Sequence, residues 1–273
     1  MKKLLWILLI FLLCALLAAS TLLMLAGKQN AHLQETDYIL SPDALPAEFD
    51  GFVIAQISDY HGDGACRTQL LDAVRRRDPD IIAITGDIAD PDYIDESLTL
   101  ARALADIAPV YYVTGNHEAK LEEEDFERLI SGLSDAGVTV LRDESAVIEY
   151  QGASIHVVGV DDPAFRTGAQ LQDLCTADGF TLLLSHRPEY FERYVSVGVQ
   201  LALTGHAHGG QFRIPGIGRG LYAPGQGLLP NYTQGVHTEE RTIMVVSRGI
   251  GNTYFPPRLF NPPELVCVTL RCE

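Results

Sequence analysis

Residues 54–61 read Ile-Ala-Gln-Ile-Ser-Asp-Tyr-His, a short apolar run that stops on Asp59 and His61. Short runs rich in β-branched side chains read as strands, so the run 52–57 becomes a strand with a polar pair at its carboxyl end. Similar runs follow at 80–85, 110–114, 155–160, 181–185, 199–204, 243–247 and 265–270. Directly after them come Gly86 and Asp87, then Gly115, Asn116 and His117, then His186, and finally Gly205, His206 and His208. Helical patterns at 68–77, 94–107 and 122–136 separate the early strands, while the later half is rich in turn residues. This order predicts one α/β layered domain, with parallel pairing early and mixed pairing later.

In an open α/β sheet the carboxyl ends of the strands converge on one crevice, so these residues meet although they are far apart in sequence. Asp59-Tyr60-His61 and His206-Ala207-His208 are read as extended, which would point alternate side chains the same way and let each pair grip a metal from one side. The glycines at 86, 115 and 205 are expected to permit tight turns. A lone Asp-x-His is usually a surface loop and Gly-Asp an ordinary turn. Gly-Asn-His-Glu and Gly-His-Ala-His are less common strings, and all of them in order at strand ends predict a metal site.

Composition narrows the partners. With 36 acidic against 20 basic residues the formal net charge is −16, which repels a polyanionic backbone, so nucleic acid is not an expected partner. The 47% hydrophobic content supports a packed core. Five scattered cysteines without a C-x-x-C pair give no zinc ribbon and no dense disulfide framework. Behind Lys2 and Lys3, residues 4–27 are uncharged; as a helix they would cover roughly 35 Å, enough for a bilayer core of about 30 Å. Residues 1–27 are therefore read as an uncleaved transmembrane anchor, with secretion after signal cleavage as the alternative. Residues 28–50 are read as a linker and 51–273 as the catalytic domain. Lysines before the span and acidic residues after it place the domain outside the cytoplasm, on a single-pass cell-membrane protein.

The ordered set Asp59-x-His61, Gly86-Asp87, Gly115-Asn116-His117-Glu118, His186 and Gly205-His206-Ala207-His208 resembles the calcineurin-like metallophosphoesterase superfamily from about residue 51 to 270. The strings His186-Arg187-Pro188-Glu189, Gly209-Gly210-Gln211, Tyr222-Ala223-Pro224 and Ser247-Arg248-Gly249 are similar to its bacterial membrane-associated YkuE/YaeI-like branch. The resemblance implies a four-layer α-β-β-α sandwich with two divalent metal ions. It implies Asp59, His61, Asp87 and His208 on the first, and Asp87, Asn116, His186 and His206 on the second, with Asp87 bridging and His117 approaching the phosphate. Mixed nitrogen and oxygen donors suit manganese, iron, zinc or cobalt better than calcium and do not choose among the four; manganese is taken as the expected ion, with iron, zinc or cobalt as alternatives. Two such ions activate a shared water and clamp a phosphoryl group, and a protonated His117 can stabilise its charge or protonate the leaving group.

The expected activity is therefore phosphoester hydrolysis on a small or lipid-linked substrate, one implied form being like UDP-2,3-diacylglucosamine. The alternatives are a nucleotide or cyclic-nucleotide phosphodiesterase, and a catalytically idle binding module on the same fold; every ligand position is filled, which favours an enzyme. Arg187 and Arg248, with Arg213 and Arg258, are candidates for holding the substrate's phosphate, although carboxylate pairing is the ordinary state of such arginines. The Gly- and Pro-rich stretch 211–232 carries Phe212, Ile214, Leu221, Tyr222, Leu228 and Leu229 and reads as a functional loop or as packing over a sheet edge.

Overall fold

The apolar runs assemble into two six-stranded sheets, and every strand expected from the sequence is present. The computed structural model describes residues 2–62, 64–163, 171–175, 179–213, 218–251 and 258–272. In chain order the helices are α1 (Lys2–Asn30), α2 (Arg67–Arg77), α3 (Ile94–Ala105), α4 (Glu123–Asp135), α5 (Leu171–Leu174) and α6 (Phe191–Ser196). The strands are β1 (Gln34–Leu40), β2 (Val53–Ile57), β3 (Ile81–Thr85), β4 (Val110–Val113), β5 (Thr139–Val140), β6 (Glu144–Tyr150), β7 (Ala153–Gly159), β8 (Thr181–Leu184), β9 (Leu201–Thr204), β10 (Tyr222–Ala223), β11 (Gly227–Leu228), β12 (Gly235–Glu239), β13 (Thr242–Val246) and β14 (Glu264–Leu270).

One sheet runs β1-β14-β2-β3-β4-β5 and the other β12-β13-β9-β8-β7-β6. Pairing is parallel through β2, β3, β4 and β5 and through β7, β8, β9 and β13, with antiparallel pairs at β14–β2, β6–β7 and β12–β13. Parallel neighbours put the ends of β2, β3, β4, β8 and β9 on one side. Ile54, Val113, Leu182, Leu184, Leu203 and Val266 are buried between the sheets. Ile57, Ile82, Ile84 and Tyr112 face α2, α3 and α4, whose buried positions (Leu70 and Val74; Leu98, Ala101 and Leu104; Leu129 and Leu133) recur three or four residues apart. Phe191 and Tyr194 of α6 cover Leu183, Ala202 and Met244 of the second sheet. Each fully buried leucine here contributes about 1.5–3 kcal/mol relative to an exposed one.

The segment expected as a linker carries a strand. β1 pairs in parallel with β14 over its full length, from Gln34↔Glu264 to Leu40↔Leu270. Its polar sequence hides it because it is an edge: Glu35 bonds Arg76 and Arg77 at 2.7 Å, Asp37 faces Arg77 at 2.8 Å, and Thr36 Oγ1 donates to Glu264 Oε1 at 2.6 Å. Only residues 31–33 separate β1 from α1. Among the described residues α1 is the one helix long and apolar enough to cross a membrane, and its side chains from Leu4 to Leu17 are exposed wherever their burial is described. The five cysteines are free thiols.

Candidate metal centre

The ends of β2, β3, β8 and β9 bring the predicted side chains together. Ligand atoms of Asp59, His61, Asp87 and His208 lie within 4.8 Å of one another, as do those of Asp87, His186 and His206, so Asp87 belongs to both groups. All six are buried. His186 Nε2 is 3.2 Å from Asp87 Oδ2, His208 Nε2 is 3.3 Å from Asp59 Oδ1, and His61 Nε2 is 4.0 Å from Asp87 Oδ2. Asn116 lines the same cavity.

The local backbone differs from the extended pairs expected. Asp59, His61, Asp87, His206 and His208 all have positive φ, between 45° and 65°, so each pair turns through the left-handed region instead of alternating along a strand. That region costs a non-glycine residue free energy and is populated where surrounding structure enforces it, as at functional sites. Here backbone bonds between loops enforce it: Asp59 N–H donates to Gly86 O, His61 N–H to Asp87 O, and Gly251 N–H to Asp59 O. Gly86 has φ +86°, in keeping with the expected tight turn. Gly115 and Gly205 are glycine for another reason. A Cβ on Gly115 would lie 2.2 Å from Asp87 Oδ1, and one on Gly205 would lie 1.8 Å from Ser58 Oγ and 2.5 Å from Asp59 Oδ2. Each empties the space that a carboxylate fills.

Electrostatics follow from burial and proximity. Burial alone would raise the Asp87 carboxyl, but His186, His61 and His117 outweigh it and hold it well below the ordinary value. Burial opposes charge on His186, yet Asp87 pushes its imidazole up to about 10. Burial, followed by the neighbouring histidines and by Arg187 or Arg258, lowers both His206 and His208. Oδ1 of Asn116 is buried without a hydrogen-bond partner, and the ring nitrogens of His61 are buried with long contacts only, Nδ1 to Asp90 Oδ1 at 3.5 Å and Nε2 to Asp87 Oδ2 at 4.0 Å. Unsatisfied buried donors and acceptors are costly, and nitrogen and oxygen donors clustered at this spacing fit divalent transition ions.

His117 stands beside these two groups and makes a third with His61 and Asp90, whose ligand atoms also lie within 4.8 Å of one another. Its Nδ1 is 2.5 Å from Asp90 Oδ1, an acceptor, so that nitrogen carries the proton, and Nε2 turns towards Asp87 Oδ2 at 4.0 Å. Burial raises the Asp90 carboxyl, but His117 and His61 override this and lower it. Sequence reading passed over Asp90, although it closes the string Gly86-Asp87-Ile88-Ala89-Asp90; its three-residue offset was the available signal. Glu118 is buried, and it accepts the N–H groups of Asp87, Ala89 and Gly115 at 2.7–3.2 Å. Burial, with Asp87 nearby, raises its carboxyl to about 7.

The arginines are bound elsewhere. Arg187 forks onto Asp162 at 2.5 and 2.9 Å and reaches His206 Nε2 at 2.9 Å. Arg248 pairs with Glu264 at 2.9 Å, and Arg213 donates to Gly209 O and Gly218 O. Arg258 is fully buried and donates to Arg248 O, Gly251 O and His208 Nδ1. Among the described residues, the lysine or arginine on the cavity wall is Lys120, which the sequence reading did not single out. A cavity of about 530 Å³ opens over Asp87, Asn116, His117, His206 and His208, and its far wall is Phe212, Leu221, Tyr222, Pro224 and Leu228. Ile214 lies outside the described residues.

A family model described as calcineurin-like phosphoesterase matches residues 52–210, from β2 through His208. The uncharacterized metallophosphoesterase YkuE of Bacillus subtilis (strain 168) is 29% identical over 255 residues, covering 88% of this chain and 86% of its own. The phosphodiesterase YaeI of Escherichia coli (strain K12) is 29% identical over 70% of each chain. Among solved structures, sulfate thiohydrolase SoxB of Thermus thermophilus, in complex with glycerol, is similar with TM-score 0.51 at 12% identity, over 83% of this chain and 57% of that one. At that identity the likeness is one of fold alone.

Proposed function

For a chain that belongs to the calcineurin-like phosphoesterase family, and is thereby a metal-dependent phosphoester hydrolase, we propose a two-metal centre acting on a small or lipid-linked phosphoester at a membrane surface. The observation that carries this reading is the pair of buried ligand groups sharing Asp87. In it Asp59, His61, Asp87 and His208 hold one ion, and Asp87, Asn116, His186 and His206 the other, manganese being the first candidate. When bound, such ions polarise a phosphoryl oxygen and acidify a water.

The chain's own groups do the rest. Asp90 fixes His117 with Nδ1 protonated and leaves Nε2 facing the centre, where the imidazolium, carrying a second proton on Nε2, can hand that proton to the leaving oxygen and return to the neutral ring. Lys120 places positive charge on the cavity wall for phosphoryl oxygens. Phe212, Leu221, Tyr222 and Leu228 exclude water and accept an apolar leaving group. Their apolar wall supports a lipid-linked substrate over a free nucleotide. The helices and sheets fit the four-layer α-β-β-α arrangement, and α1 serves as a single-pass anchor with the domain outside the cytoplasm.

The test uses the full chain in detergent. Metal analysis should give two ions per chain, and hydrolysis of an aryl phosphodiester should vanish with chelation and return with manganese. Active protein with one ion or none would overturn the two-metal reading. A wide preference for nucleotides over phosphorylated lipids would move the substrate to the soluble class.

A further inference from the structure

From the way the first helix joins the domain, we propose that Leu221, Tyr222, Leu228, Leu229 and Phe260 form a docking strip that seats the cavity mouth on the bilayer entered by α1. This rests on the reading of α1 as the membrane anchor. The occupant is the interfacial zone of a phospholipid surface.

The join is fixed by packing and hydrogen bonds. Ala26 is buried, Cys66 Sγ donates to Asn30 O at 3.6 Å, and the Gln69 side chain donates to Ala31 O and accepts from Leu33 N–H. Its place in the topology matters. Gln34 of β1 pairs with Glu264, the first residue of β14, and β14 runs antiparallel to β2, whose far end delivers Asp59. The helix thus leaves the sheet at the end where the candidate ligands gather.

A line of hydrogen bonds, the first to the Gln29 side chain and the rest along the backbone, then leads from α1 to the cavity wall. Phe260 N–H donates to Gln29 Oε1 at 2.8 Å; Arg213 N–H donates to Leu259 O at 3.0 Å; Leu221 N–H donates to Phe212 O at 2.8 Å; and Leu229 N–H donates to Leu221 O at 2.9 Å. Along this line large apolar side chains stand in the open: Leu228 is 75% exposed, Leu229 55%, Tyr222 51%, Leu221 40% and Phe260 36%. Leu229 and Phe260 also occupy the left-handed region (φ 54° and 53°), where a bulky residue is uncommon. Exposed apolar groups in one strip, beside a helix that enters lipid, fit interfacial burial about 5–10 Å below the headgroup level. The net charge of −16 argues for zwitterionic lipid rather than anionic lipid.

The test is fluorescence quenching by phosphatidylcholine brominated along its acyl chains, with the manganese-loaded full chain in vesicles. Trp6 is the one tryptophan and lies in α1, so the unsubstituted chain reads anchor insertion. In a Trp6→Phe background, Leu228→Trp and Phe260→Trp read the strip. Arg241→Trp, in the β12–β13 turn at the opposite end of the sheet, is the control. The expected result is several-fold stronger quenching and blue-shifted emission for both strip reporters, with the control unquenched. Quenched Trp6 with strip reporters no better quenched than the control would overturn the docking strip and leave the anchor standing. Unquenched Trp6 would overturn the anchor and the strip with it. Metal content of the same samples reports separately on the catalytic reading.

Discussion

The two sheets build the two halves of the candidate centre by different means. The first supplies both carboxylates, with His61, Asn116 and His117, from short turns that run on towards the long helices α2, α3 and α4. The second supplies His186, His206 and His208, followed by the six-residue α6 or by an irregular return. The carboxylate half is scaffolded mostly by loops of its own sheet, with Glu118 accepting from Asp87, Ala89 and Gly115 and Asp59 N–H donating to Gly86 O, while Gly251 N–H ties Asp59 O from outside. The histidine half is held across the molecule: His206 N–H donates to Asp59 at 3.0 Å, and Asn261 Nδ2 donates to His208 O at 2.7 Å. Neither half is complete alone, so the centre is a property of the interface between the sheets.

The largest expected effect comes from removing the shared residue. Asp87→Ala should abolish occupancy of both ions and lower turnover by at least roughly a thousandfold, read by metal analysis and steady-state kinetics. Retention of one tightly held ion would show that the halves work independently.

His117→Ala should keep both ions and lower kcat by about 10²–10⁴-fold, the range for a positioned acid. Asp90→Asn, acting through His117, should cost about 10–100-fold with KM little changed and its pH profile displaced. Loss of metal in the His117 variant would put His117 among the ligands, and loss in the Asp90 variant would put Asp90, or His117 through it, among them.

Glu118→Ala tests the local scaffolding of the carboxylate half. It strips the acceptor from three buried N–H groups, so the melting temperature should fall by several degrees, for a loss of about 3 kcal/mol or more, even in chelator. An unchanged metal-free Tm would mean that the turns stand without it.

The smallest effect is at the edge. Glu35→Gln should cost under about 1 kcal/mol in urea unfolding. The Arg76 hydrogen bond, against some burial and with help from Arg77, lowers the Glu35 carboxyl in the folded state. Its contribution is therefore present above the unfolded value of about 4.3 and is lost as pH falls through the folded one, so chain and variant should converge in acid.

What the sequence by itself determined was the alternation of strands and helices and the polar residue types at strand ends, because apolar period and composition are local properties. It placed Asp59, His61, Asp87, Asn116, His117, His186, His206 and His208 in the crevice through one topological rule, that parallel strands share an end. Only the tertiary structure decided the rest. β1 escaped because an edge strand that answers charges on α2 needs no apolar alternation. Asp90 and Glu118 look like solvated turn residues until the fold buries Glu118 under three N–H groups and sets Asp90 against His117. Arg187 and Arg248 stood open between phosphate and a carboxylate partner in the sequence, and the fold supplies the carboxylates from 25 and 16 residues away. The left-handed turns at Asp59 and His206 were invisible for the same reason: hydrogen bonds from distant loops impose them against the local preference of the chain.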